Sequence, residues 1–139
     1  DRIASLRHTV LKRGRRVEAT STDGELHKLR IRCKRLRYGC EFVSGLFPPA
    51  VGAYARAVVD VQDVLGDHQD VVVALAHVAA DRPRADDTLH PPLDAFRDVL
   101  RKRRRKFRKR FFPVWKQFDR KRVQRPLKKA LSITAPAAR

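Results

Sequence analysis

The sequence predicts an all-α protein, an antiparallel four-helix bundle with an extra N-terminal helix. Three observations lead there. Apolar residues recur at helical spacing along most of the chain, strand-like alternation is weak, and Gly, Pro and capping residues separate the periodic stretches. Ile3, Leu6, Val10 and Leu11 begin a first helix, which ends near the loop Thr20-Ser21-Thr22-Asp23-Gly24. Asp23 is the expected N-cap of the second helix, which runs from about Glu25 to Phe47 and stops at Pro48-Pro49. A third helix is predicted over Ala50 to Leu65, with Gly66 as its C-terminal cap, and a fourth over Asp67 to Ala80, with Asp67 capping it. After the loop at 81–87, Pro91-Pro92 opens a long fifth helix. Its core stripe is Leu93, Phe96, Leu100, Phe107, Phe111, Val114 or Trp115, and Phe118, with a kink expected at Pro113. Arg125-Pro126 starts a tail with another helical turn or two. The expected organisation is therefore a helix and loop at 1–24, the bundle at 25–120 and a C-terminal tail at 121–139.

Charge narrows the function classes. The 139 residues hold 33 Lys and Arg against 15 Asp and Glu, a formal charge of +18. The excess is uneven: +3 over residues 1–24, +4 over 25–48, −3 over 49–80, −2 over 81–96 and +16 over 97–139. Concentrated positive charge points to a polyanionic partner. No apolar run approaches the roughly 18 residues of a membrane span, so no membrane partner is expected. Cys33 and Cys40 are seven residues apart on one helix, which puts them about 10 Å apart along the axis, too far to bridge. With no Cys-x-x-Cys or His cluster nearby, no metal or other cofactor is expected, and reduced thiols fit a cytoplasmic protein. The missing Met and a start inside a helical pattern suggest a piece of a longer protein.

The second helix carries the sharpest signal. Leu26, Leu29, Cys33, Leu36, Cys40 and Val43 fall within about 100° of arc and form a core face. His27, Arg30, Lys34, Arg37 and Tyr38 form a second stripe beside it, roughly 16 Å long. Cations at such spacing repel by a few tenths of a kcal/mol per pair, and this helix carries few acids to offset them. A bound polyanion removes the repulsion: Arg offers forked donors to phosphate oxygens, Lys a mobile charge, His one or two ring donors. The fifth helix holds nine cations in the ten residues 101–110. Arg97, Arg101, Arg104 and Arg108 form one flank of its apolar stripe. Arg103 and Arg104 interrupt that stripe and need a partner, either an acid such as Asp60, Asp63 or Asp70, or a bound anion. Two cationic helices lining one groove would favour a long polyanion over single phosphates.

Catalysis finds little support. Asp63, Asp67, His68 and Asp70 read as caps and ion-pair partners, His8, His77 and His90 are isolated, and no nucleophile, base and acid are arranged together. No acidic cluster is expected to face either basic helix and hold Mg²⁺. Non-specific nucleic-acid binding through the same patch is the alternative; against it, the Phe residues follow the core period and leave no aromatic platform.

His27-x-x-Arg30-x-x-x-Lys34-x-x-Arg37-Tyr38, then Leu65-Gly66-x-x-x-Asp70, then an Arg-rich helix with Trp115, resembles the CHAD (conserved-histidine α-helical domain) family over about residues 1–118. The resemblance implies a helical fold of two four-helix halves related by a pseudo-twofold axis. It also implies a non-enzymatic module for inorganic polyphosphate, associated with intracellular polyphosphate granules and often fused to a triphosphatase domain. It assigns the anion-binding face to His27, Arg30, Lys34, Arg37 and Tyr38, supported by Arg97, Arg101, Arg104 and Arg108. The motif occurs once here, so the chain resembles the carboxy-terminal half. Either an amino-terminal half lies elsewhere or two chains pair to complete the groove.

Overall fold

The computed structural model describes residues 2–134. They form α1 (Arg2–Gly14), α2 (Asp23–Val43), α3 (Pro49–Asp81), α4 (His90–Phe118) and α5 (Lys121–Thr134), with short 3₁₀ turns at Arg82–Arg84 and Asp87–Leu89 before α4. Helix α3 is the central rod. It packs against α2, α4 and α5, and α1 lies on α2. The main core joins all five helices, with Val10, Leu29, Cys33, Leu36, Val58, Val61, Phe111 and Leu127 among its fully enclosed side chains. This is the all-α bundle the periodicity predicts. Cys33 and Cys40 are free and enclosed, and burial pushes their thiols up to about 12 and about 11.

Several elements differ from expectation. Gly66 ends no helix: the predicted third and fourth helices are one rod, α3, of 33 residues. A C-terminal glycine cap depends on a left-handed backbone, and no glycine among the described residues has positive φ. An interior glycine costs a helix about 1 kcal/mol. The buried run Val61, Val64, Leu65, His68 and Val71 spans Gly66, and its packing outweighs that cost. Asp67 is accordingly a mid-helix residue on the exposed side rather than a cap. The cap of α2 lies one residue earlier than expected. Thr22 Oγ1 accepts from Glu25 N at 3.1 Å and Glu25 Oε2 accepts from Thr22 N at 2.9 Å, a capping box that leaves the Asp23 carboxylate free for other partners. The segment after Lys121 is a helix of 14 residues rather than a turn or two, and it buries Leu127, Ala130 and Leu131.

Two close fits hold α4 and α5 in register. The Trp115 indole covers Gly14 at the end of α1, so closely that a Cβ on Gly14 would lie inside the ring. Beside this contact, Arg15 grips Asp119 with Nε at 2.9 Å from Oδ2 and Nη2 at 2.8 Å from Oδ1. Buried Gln124 uses both ends of its amide. Its Oε1 accepts from Tyr54 Oη at 2.9 Å and Arg7 Nε at 3.1 Å, while its Nε2 donates to the Phe118 carbonyl at 2.8 Å. No polar atom of that amide is stranded, as burial requires.

The far ends of α3 and α4 extend past the start of α2 as a two-helix arm. Val71, Val78 and Leu100, with Ala74, Leu75 and Phe107, form a second, smaller core there. Phe96, expected on the core stripe, is 50% exposed, because its side of α4 lies beyond the helices that would cover it. Arg82 closes the arm, with Nε 2.7 Å from Asp94 Oδ1.

Gly14→Ala is expected to destabilise the bundle. Overpacking against a rigid indole costs about 1–3 kcal/mol, more than the about 1 kcal/mol that Ala gains over Gly in a helix. Thermal unfolding followed by circular dichroism should show a lower midpoint. An unchanged or higher midpoint would mean that the ring slides aside freely.

Candidate anion-binding site

Helix α2 presents two neighbouring faces because its apolar and cationic residues keep separate helical positions. Leu26, Leu29, Cys33, Leu36 and Cys40 are buried, while His27, Arg30, Lys34 and Arg37 are half-buried along one edge and Tyr38 is exposed. Within this edge His27 Nδ1 and Arg30 Nε are enclosed and have no hydrogen-bond partner among the described residues. Arg37 is engaged locally. Its Nε lies 3.2 Å from Glu41 Oε1, and its guanidinium carbon is 4.6 Å from the centre of the Tyr38 ring. Lys34 makes no ion pair among the described residues and offers its charge outward.

Arg30 lines a hollow with Gln62, Asp63, Gly66, Asp67 and Asp70 of α3. Gly66 faces Arg30, and a Cβ there would meet Arg30 Nε at 3.7 Å, an ordinary van der Waals contact. The acidic side of α3 therefore does face a basic helix, contrary to the sequence expectation. On its other side Asp60, Asp63 and Asp67 share a hollow with Arg110 of α4. Four acids at helical spacing put one charged edge of α3 between the two basic helices, a proximity that linear spacing within each helix conceals. Among the described residues no three acids, histidines or cysteines come close enough together to hold a metal ion.

The flank of α4 is only partly open. Arg97, Arg101 and Arg104 line one hollow with Asp23 and the α3 residues Val72, Leu75 and Ala79. Arg101 is exposed, whereas Arg97 lies 3.4 Å from Asp94 and 3.9 Å from Asp98. The partner that Arg104 needs is neither Asp60, Asp63 nor Asp70 but Asp23. Arg104 Nε and Nη2 lie 3.0 and 2.8 Å from Asp23 Oδ1, and Arg108 Nη1 lies 3.0 Å from the same oxygen. Arg108 also donates to the carbonyls of Ser21 and Ala19. From α3, buried His68 brings Nε2 to 3.1 Å of Asp23 Oδ1. Three arginine donors thus meet one carboxylate oxygen, with His68 Nε2 beside them. Arg104 and Arg108 are drawn to the start of α2, while Arg30, Lys34 and Arg37 run away from it.

The charges at this junction follow from burial and pairing. Burial works to raise the Asp23 carboxyl, but the hydrogen bond from Arg104 and the charges of Arg104, His68 and Arg108 outweigh it and hold the group below the usual carboxylate range. For His68, burial lowers the imidazole below its ordinary value, and Arg108 and Arg104 add to that against the opposing pull of Asp23. His68 is therefore the neutral member of the junction, close to the carboxylate but with neither ring nitrogen in a hydrogen bond among the described residues. The sequence suggests Asp23 as a cap and groups His68 with the caps and ion-pair partners of its segment. The apolar character of Leu65, Val71 and Val72 around His68 was the available sign that it is enclosed.

Both shifts give the same sign of pH dependence. Below about pH 6.5 the unfolded chain protonates His68 while the folded chain resists, and in the carboxylate range near pH 4 the unfolded chain protonates Asp23 first. Stability is thus full above pH 6.5 and falls with pH in two stages. Urea midpoints measured against pH should show this, and His68→Gln should flatten the first stage. An equal slope in the variant would remove His68 from the effect.

A family model for the CHAD domain matches residues 1–79, which run from α1 through most of α3. No curated protein matches the chain.

Proposed function

Because the chain belongs to the CHAD family, we propose that it is a non-enzymatic module that binds inorganic polyphosphate along the cationic edge of α2. The observation that carries the reading is the continuous cationic edge of α2, on which His27, Arg30, Lys34 and Arg37 lie half-buried side by side and Lys34 has no ion pair among the described residues. Like charges at this spacing repel, and phosphate oxygens would relieve that repulsion while accepting from the accessible ends of these side chains. Tyr38 stacks on Arg37 and orients its guanidinium. Arg97 and Arg101 extend the surface onto α4, and Arg104 and Arg108 join it when the ligand competes with Asp23. A long anion suits this layout because it follows the edge of α2 and passes the acids of α3, whereas a single phosphate meets only two or three donors.

A second copy of the motif, on a longer chain or on a paired molecule, would close the surface into a groove. A cytoplasmic protein at polyphosphate granules is the setting in which such a ligand is abundant. Nucleic acid is the competing polyanion.

Titration with polyphosphates of several lengths should give affinities that rise with chain length and fall steeply with salt. Lys34→Ala and Arg37→Ala should each weaken binding by about tenfold, since one charge-assisted bond is worth about 1.5–3 kcal/mol. Circular dichroism should remain unchanged in both. Equal affinity for orthophosphate and long chains would refute the reading, as would preference for RNA or DNA in competition at matched salt.

A further inference from the structure

The opposite side of α2 carries a second basic hollow. It has a volume of about 450 Å³ and lies between the end of α1 and the first turns of α2. His8, Lys12 and Arg13 of α1 and Arg16 of the turn after it form one wall, while half-buried Val17 supplies apolar surface above enclosed Leu29. It shares no lining residue with the edge formed by His27, Arg30, Lys34 and Arg37. His8 and Lys12 follow one another at successive turns of α1 with Arg13 beside them, and Arg16 continues the wall from the turn after the helix.

Three cations outnumber the one acid in this hollow. Among the described residues Lys12, Arg13 and Arg16 make no ion pair. The facing acid, Glu25, already accepts from Thr22 N at 2.9 Å in the capping box. Thr9 Oγ1 donates to the Ser5 carbonyl at 3.1 Å and keeps its lone pairs available. Three free cations, a histidine and a hydroxyl therefore surround a space with an apolar side.

The geometry points to a nucleoside phosphate as the ligand of this hollow. Its volume lies within the range of about 300–1,000 Å³ typical of small-molecule sites. Orthophosphate would leave most of it empty and Val17 uncovered. The phosphates would bind Arg13 and Arg16, whose forked donors match phosphate oxygens, with Lys12 as a mobile charge. The base and ribose would lie over Val17 and the aliphatic stem of Lys12, with the His8 ring at the rim. The site is independent of the polyphosphate reading, because it uses another helix and another side of α2.

Isothermal titration of the full chain with ATP, inorganic tripolyphosphate and adenosine tests this. ATP should bind about tenfold more tightly than tripolyphosphate, the difference that one buried apolar group supplies, and adenosine should bind more weakly than either. The double variant Arg13→Ala, Arg16→Ala should lose about tenfold or more in ATP affinity, and Lys12→Glu should lose a similar amount without truncating a side chain. Lys34→Ala with Arg37→Ala should leave ATP binding unchanged while weakening long polyphosphate. Equal binding of ATP and tripolyphosphate would overturn the inference, as would an ATP affinity that falls in the α2 variant and not in the α1 variants. Failure of long polyphosphate to bind, with ATP behaving as stated, would refute the proposed function and leave this site standing.

Discussion

The arrangement of the bundle depends on the convergence at Asp23. One carboxylate oxygen receives Arg104 and Arg108 from α4 and His68 from α3, and the residue itself stands in the first turn of α2. Three helices distant in sequence are thereby fixed at one point. The junction also resolves an electrostatic problem. Arg104 lies on the core side of α4, where an unpaired guanidinium would be costly, and the carboxylate at the positive end of α2 is stabilised by both the helix dipole and the arginines. The members support one another: burial keeps His68 neutral beside the carboxylate, and Asp23 stays ionised because the arginines surround it.

The same logic explains how a chain of charge +18 folds without neutralising itself. Several cations are paired: Arg15 with Asp119, Arg82 and Arg97 with Asp94, Arg104 and Arg108 with Asp23, while half-buried Arg30 and Lys34 make no ion pair among the described residues. The remainder, including most of the run at 101–110, point into solvent, where water and salt screen them. The acids of α3 are distributed differently. Asp60, Asp63, Asp67 and Asp70 stay exposed along one edge and lie beside Arg30 and Arg110, lowering the potential between α2 and α4. A ligand attracted to the molecule thus meets several cationic surfaces separated by an acidic ridge.

The all-α class, the core face of α2 and the separation of its cationic edge were legible in the sequence because each depends on spacing within one helix. Leu26 to Cys40 are buried as the periodicity requires, and His27 to Arg37 flank them. What depends on contacts between helices was not legible. Gly66 has the same identity whether it ends a helix or lies in the middle of one against Arg30, and only the packing of α2 on α3 distinguishes the two. Likewise Arg104 visibly needed a partner, but the residue that meets it is 81 positions away and had a plausible alternative role as a cap. The Asp63, Asp67 and Asp70 edge was sorted as caps and partners for the same reason: its neighbour Arg30 lies on a different helix.

The arm formed by the ends of α3 and α4 has a consequence for how the molecule loosens. Its small cluster of Val71, Val78 and Leu100 is separate from the main core, and it relies on one helix-to-helix contact and the Arg82–Asp94 clasp. Two cooperative units of unequal strength therefore exist within one continuous pair of rods. The arm can unzip from its tip down to the level of His68, where the Asp23 junction halts the separation. The Asp23 junction is thus also a fracture stop: strain at the arm's tip spends itself on a few turns of helix, and the half of the molecule that carries the edge of α2 keeps its shape.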